Sequence, residues 1–188
     1  VERSRGLGDV YKRQMYELYV MRHAKSSWSN LNLRDFERPL NGRGKKNAKL
    51  MCEFFVKKKF IFDYVMVSSS KRTEKTLKLI LKKLSKPKKI FSSKKLYLTN
   101  EQKIIDMIKK VSNKYKSILL INHEPTVRNL VRELIKNNNS NKYKLLNYKF
   151  STCAYAKINF DINNWNEITN KGILKEFVRP KDIQASKE

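Results

Sequence analysis

The 188-residue chain has two histidines, His23 and His123. Each ends an apolar run, "ELYVMRH" in one case and "KSILLINH" in the other. Arg22 stands directly before His23, and Arg72 follows a separate apolar run in "VMVSSSKR". The planar guanidinium of arginine donates two parallel hydrogen bonds and keeps its charge, so a pair of arginines suits a dianionic phosphoryl group. A neutral imidazole can attack phosphorus, and flanking guanidinium charges lower its pKa and hold it neutral. A second imidazole beside the transferring group could donate a hydrogen bond to a phosphoryl oxygen. Such chemistry requires no cofactor. Two histidines without a carboxylate cluster also argue against a metal site.

The elements that must hold these residues follow from hydrophobic periodicity. "ELYVMRH" predicts a strand, and "LNGRGKKNAKLMCEFFVKKK" a helix with Ala48, Met51, Cys52 and Phe55 on one face. "DYVMVSS" and "KRTEKTLKLILKKL" repeat the unit, with Thr76 or Leu77, Ile80, Leu81 and Leu84 forming the apolar stripe. A less regular extended stretch, "KIFSSKKLYL", precedes the helix "NEQKIIDMIKKVS". In the fourth unit "KSILLINH" has the continuous apolar character of a strand buried on both faces, and "EPTVRNLVRELIKNN" places Pro125 in the first helical turn. "CAYAKINFD" and "GILKEFVRP" are two further strands, joined through the turn region "INNWNE". "KNNNSNKYK" over 136–144 is the one loop-like low-complexity stretch. The alternation predicts an α/β fold, a three-layer αβα sandwich whose mostly parallel sheet takes antiparallel strands from the C-terminal part. Ligands of such sheets bind beyond the carboxyl ends of the strands. Arg22, His23, Arg72, Glu101 and His123 all fall at those ends.

Size and composition set the frame. A chain of this length with 40% hydrophobic residues supports one domain, assigned here to 15–183 with a tail at 184–188. Residues 1–14, "VERSRGLGDVYKRQ", are polar and aperiodic and are set outside the domain. They resemble translated adapter or vector sequence, which would make Met15 the natural start; a disordered basic arm is the alternative. No apolar run approaches the roughly 18 residues needed to span a bilayer, so a cytoplasmic protein without a membrane partner is expected. Cys52 and Cys153 lack CxxC spacing and are expected to be buried thiols. The net charge of +26 comes mainly from lysines spread over the whole chain, and no basic and aromatic residues alternate on one face. A solvated lysine surface is therefore expected rather than a nucleic-acid site. "NGRGKK" fails as a phosphate-binding P-loop, because Pro39 occupies the first glycine position and Lys46 the Ser/Thr position. "NNS" at 138–140 fits a glycosylation acceptor but has no meaning in a cytoplasmic protein.

"VMRHAKSSW" resembles the RHG signature of the histidine phosphatase superfamily, in particular its short phosphohistidine phosphatases of the SixA type. "DFERPLNGRGKKNA", "VSSSKRTEKT", "LLINHEPTV" and "FVRPKDI" resemble later segments of that family, so the likeness extends from Met15 to about Ile183. The resemblance implies a phosphoglycerate mutase-like fold, with His23 as the nucleophile that becomes phosphorylated and Arg22, Arg72 and His123 completing the phosphate pocket. Arg38 either faces the same pocket or staples a loop, and Ser26 and Asn41 are weaker candidates for orienting hydrogen bonds. Ala24 replaces the usual glycine, which requires only that φ there stay negative. Lys25 stands where the mutase-like branch has an acid, which counts against a phosphoglycerate mutase. Glu101 matches the place of a general acid in larger members, yet Asn100 and Glu101 also fit an N-cap and first helical turn. A missing acid would be tolerable for phosphohistidine, whose imidazole leaving group departs more easily than an alkoxide. The expected activity is thus a metal-independent phosphatase acting on protein phosphohistidine or a small phosphorylated compound. A basic module that holds phosphate or nucleic acid without turnover is the alternative.

Overall fold

The computed structural model describes residues 15–135 and 139–186. Residues 1–14 and the 138 position of the "NNS" triplet lie outside that range. Six strands form one sheet in the order β3-β2-β4-β1-β5-β6, namely β1 (Tyr16–Arg22), β2 (Tyr64–Ser68), β3 (Lys89–Ser93), β4 (Ser117–Asn122), β5 (Tyr155–Phe160) and β6 (Ile173–Val178). The first four pair in parallel, whereas β5 runs antiparallel to both β1 and β6. The mostly parallel sheet with antiparallel C-terminal strands is therefore as expected.

The three layers follow from strand alternation, because successive side chains point to opposite faces. Leu18 and Val20 of β1 join one apolar cluster, with Ile104, Ile108, Val127, Leu130 and Leu146. Those partners lie on α3 (Glu101–Ile108), α4 (Thr126–Leu134) and α5 (Asn141–Tyr148). Tyr19 and Met21 join the opposite cluster, with Ala48, Met51, Phe55, Leu77, Ile80 and Ile183 from α1 (Gly42–Lys57), α2 (Lys71–Ile80) and α6 (Pro180–Ala185). All six residues of β4 are buried, as a strand covered on both faces requires.

Several elements differ from expectation. Asn141–Tyr148 is a helix, α5, whose first half falls in the stretch 136–144 that the sequence presents as loop; Ser140 caps it through its side chain, and Leu146 is its one buried residue. Pro125 occupies the N-cap of α4 rather than its first turn. The turn before β6 contains a 3-10 turn at Trp165–Glu167, whose buried Trp165 donates its indole N–H to the Tyr115 carbonyl. The last helix continues past Ile183 to Ala185. Cys52 and Cys153 are buried free thiols, as expected.

Two local features fix the chain where β1 ends. Cys153 adopts φ 64°, and its N–H is shared by the carbonyls of Arg22 and His23. Gly44, in the first turn of α1, lies so close to the loop after His23 that a Cβ there would stand 2.1 Å from the Lys25 carbonyl oxygen. A glycine is required by this approach of backbone to backbone.

Candidate active site

Strands β1 and β4 are parallel neighbours in register, with Arg22 opposite Asn122. The next residue on each strand is a histidine. Their rings consequently face one another across the sheet end, with centroids 5.0 Å apart. Asn122 fastens both, accepting the His23 N–H on its backbone carbonyl at 3.0 Å and the His123 N–H on its side-chain oxygen at 2.9 Å. Both imidazoles are buried.

Hydrogen bonds determine how each ring carries its proton. His23 Nδ1 lies 2.7 Å from the Ala24 carbonyl, which can only accept, so Nδ1 bears the hydrogen and Nε2 carries the lone pair. The Ala24 N–H in turn donates to Thr76 Oγ1, whose hydroxyl donates to the Arg72 carbonyl. This relay ties the His23 loop to the first turns of α2. At His123 the neighbour of Nδ1 is an Arg72 N–H, which can only donate, leaving Nε2–H to meet Ser68 Oγ at 2.9 Å.

Arg72 comes after the short link from β2 and is buried in the first turn of α2. Two edges of its guanidinium are engaged differently. The inner edge lies between the imidazoles, with Nε 3.3 Å from His23 Nε2 and Nη2 3.3 Å from His123 Nδ1. The outer edge grips Asp35, Nη1 donating to its backbone carbonyl and Nη2 to its carboxylate at 2.8 Å. Asp35 also accepts from Arg38 Nη1 at 2.8 Å and from the Tyr97 hydroxyl at 2.6 Å. Burial would raise its pKa, but the hydrogen bonds from Tyr97 and Arg72 and the charges of Arg72 and Arg38 outweigh burial and hold the carboxyl below its ordinary value.

The sequence candidates separate into two groups. Arg22, His23, Arg72 and His123 converge at one end of the sheet. The Arg22 guanidinium donates Nη1 to the Phe150 carbonyl at 2.7 Å, while its Nε is buried without a protein partner. Arg38 is buried one step further out, bonded to Asp35, to the Ser27 carbonyl and to the Ser26 hydroxyl, with its guanidinium carbon 3.3 Å from the Trp28 ring centroid. It therefore staples the loop and supports Arg72 through Asp35. Ser26 serves the same staple. Asn41 is occupied as the cap of α1, accepting from the Gly44 N–H at 2.7 Å. Glu101 sits in the first turn of α3 behind the Asn100 cap, and lines a surface cleft with Asn129, Arg132 and Tyr143, a cleft that none of Arg22, His23, Arg72 and His123 lines. The capping alternative describes it.

Asp35, Tyr97, Ser68 and Thr76 were not among the sequence candidates. For Asp35 a signal existed, the i, i+3 pair with Arg38 inside "DFER"; the other three are common residue types whose roles arise only from packing.

Burial foremost, then the charges of Arg72, Arg22 and Arg38, lowers the His23 pKa from 6.5 to about 3, against the opposing bond to Ala24. Burial, with His23 and Arg72 beside it, lowers His123 likewise to about 3. Both rings are neutral at pH 7. Well above pH 6.5 neither state of the chain binds a proton at these sites. As the pH falls below 6.5 the unfolded chain takes up protons that the folded chain refuses until about pH 3, so stability declines through that window. Each imidazole accounts for about 1.4 kcal/mol per pH unit once the pH is well below 6.5. Urea unfolding between pH 7.5 and 5 should show this decline, with His23→Ala removing about half of it. An imidazole titrating near 6.5 in the folded protein, followed by NMR, would contradict it.

Residues 18–96 match the histidine phosphatase superfamily (branch 1). An uncharacterized chloroplastic protein of Arabidopsis thaliana is 36% identical over 61 residues, covering 32% of this chain and 28% of that protein. The 2,3-bisphosphoglycerate-dependent phosphoglycerate mutase of Buchnera aphidicola is 41% identical over 71 residues, or 36% of this chain and 30% of the mutase. The chain thus matches about three-tenths of the length of these curated relatives. Among solved structures, the protein histidine phosphatase SixA in complex with tungstate superimposes with a TM-score of 0.74 at 23% identity, over 89% of this chain and 99% of that one. Residues 18–96 thus carry the similarity to the histidine phosphatase superfamily, and the sheet and helices as a whole have the SixA-like fold.

Proposed function

We propose that the protein is a phosphatase whose His23 Nε2 attacks phosphorus to form a covalent phosphohistidine, which water then hydrolyses. One observation carries the proposal: the inner edge of Arg72 lies between the two imidazoles and spans both at 3.3 Å. A phosphoryl group entering there would accept from Nε–H and Nη2–H as a bidentate ligand, while Asp35 keeps the outer edge fixed. That exchange frees the His23 lone pair and places it in line with the bond to be broken. Arg22 adds a second positive charge, and the two guanidiniums offset the charge of the transferring group without a metal ion.

His123 has a different task. Once Arg72 turns its N–H groups to the phosphoryl oxygens, His123 Nδ1 no longer needs to accept. The Ser68 hydroxyl can donate to Nε2 as readily as accept from it, so His123 can present an Nδ1–H to a phosphoryl oxygen. Ser68 is a positioning residue in this scheme.

Protein phosphohistidine is the substrate class favoured here. In the forward step the His23–phosphorus bond forms as the phosphorus–nitrogen bond of the substrate breaks, and the leaving imidazole takes a proton from solvent. An imidazole leaves without a dedicated acid more readily than an alkoxide does. The place of Glu101 in a different cleft supports such a substrate over a sugar phosphate, and the SixA protein with the same fold is described as a protein histidine phosphatase.

Turnover of p-nitrophenyl phosphate and of a phosphohistidine protein in EDTA tests the proposal directly; binding without turnover of either would reduce the site to an anion-binding pocket. Phosphate, vanadate or tungstate should also raise the melting temperature. A ligand at 100 times its Kd adds about 2.7 kcal/mol to stability. A melting temperature unmoved by millimolar oxyanion, or moved equally in Arg22→Ala, contradicts the pocket assignment.

A further inference from the structure

Beside Arg22, on the side facing the loop between α5 and β5, lies a cavity of about 540 Å³ lined by Arg22, Lys25, Arg43, Lys149, Arg179 and Lys181 together with Ser151 and Thr152. A second cavity of about 310 Å³ shares Arg43, Ser151, Thr152, Arg179 and Lys181, so the two form one continuous groove. No aspartate or glutamate lines either part. The general lysine bias of the chain does not account for this. Only eight arginines follow Met15, and three of them, Arg22, Arg43 and Arg179, line the groove. Arg179 is bound by Asp182 at 2.6 Å, but Lys25, Arg43 and Lys149 have no ion pair among the described residues. The groove begins at the residue adjoining the proposed nucleophile, and the Arg22 charge that lines it also acts on both imidazoles.

We infer that this groove is a substrate subsite for an acidic peptide segment next to the phosphorylated residue, an inference that rests on the phosphatase function proposed above. A cavity of this size far exceeds one phosphate, and cations without carboxylate partners favour carboxylates arriving from outside. The Ser151 and Thr152 hydroxyls supply donors for peptide carbonyls between the charged positions. A groove lined by several separate positive charges suits a chain carrying several aspartates or glutamates. Aromatic platforms that stack bases are sparse, Tyr148 being the one aromatic residue of the lining, which favours a peptide over single-stranded nucleic acid.

The test uses Arg43→Ala/Lys149→Ala/Lys181→Ala, three exposed positions outside the phosphate pocket. Binding of an unphosphorylated, fluorescein-labelled peptide rich in Glu and Asp is read by anisotropy in low salt, beside a lysine-free neutral peptide and oligo(dT). Wild type should prefer the acidic peptide to the neutral one, and the triple variant should lose roughly tenfold in affinity for it, with the loss shrinking as salt screens the charges. Equal affinity of wild type for acidic and neutral peptides, an unchanged affinity in the variant, or tighter binding of oligo(dT) than of the acidic peptide would overturn the subsite. Turnover of p-nitrophenyl phosphate by both proteins separates the two levels. Equal rates locate the groove outside the chemistry as inferred, a parallel loss of turnover in the variant would refute its role as a separate subsite, and absence of turnover in wild type would instead remove the phosphatase proposal.

Discussion

Arg72→Lys should lower kcat/KM by roughly thirtyfold or more, equivalent to about 2 kcal/mol of lost transition-state stabilisation, while the fold persists. The substitution preserves the charge and removes the fork. Arg72 uses one edge to hold Asp35 and the other to span His23 and His123, and a single ammonium cannot occupy both sets of positions. A dianionic phosphoryl group would then be gripped at one point, and Asp35 would lose the guanidinium that fixes it. Because Arg72 is buried, the melting temperature of the variant must be measured beside its kinetics. Near-wild-type kinetics in a folded Arg72→Lys protein would show that the inner edge does not bind phosphate.

The second large effect is expected at His23. His23→Ala should reduce turnover by about four orders of magnitude, since the covalent route then has no nucleophile. Oxyanion binding should survive, because Arg22, Arg72 and His123 remain, and removal of one buried neutral ring takes no positive charge from the pocket. The asymmetry between the two histidines is structural. The Nδ1–H of His23 is committed to Ala24, which leaves the Nε2 lone pair facing the guanidinium edge, whereas His123 meets that edge through Nδ1 and is backed by Ser68. His123→Ala should therefore slow the reaction without abolishing the intermediate. Full activity without His23 would exclude the mechanism.

The part of the site that could be read from the sequence consists of rare residues after strong apolar runs. "SILLIN" and "LYVM" could hardly be anything but buried strands, and each delivers its histidine to the same sheet end because parallel neighbours in register must do so. Arg72 was legible for the same reason. Asp35 and Tyr97 were not, because their positions depend on how the segment 26–41 and the stretch after β3 fold back over α2, and no periodicity describes such returns. Trp28 and Arg38 belong to the same fold-back, where Ser26 pairs with Leu40 and the loop closes on itself. Asn41 was legible as a polar residue near the signature, but the cap it supplies to α1 consumes its side-chain oxygen. Helix α5 escaped notice because its asparagine-rich approach has the composition of loop and only Leu146 is buried, too little for an apolar stripe. The cap at Ser140 was the available signal.

The central claim is that His23, and not His123, carries the phosphoryl group. Rapid quenching of the enzyme into base during turnover of a 32P-labelled phosphohistidine protein, followed by proteolysis and peptide mapping, reads this directly, because a phosphoramidate on imidazole survives base and is lost in acid. The predicted result is acid-labile label on the peptide containing His23, in wild type and at a lower rate of formation in His123→Ala, and none in His23→Ala. Label on the peptide containing His123, or turnover at the wild-type rate with no label trapped on either histidine, would contradict the account.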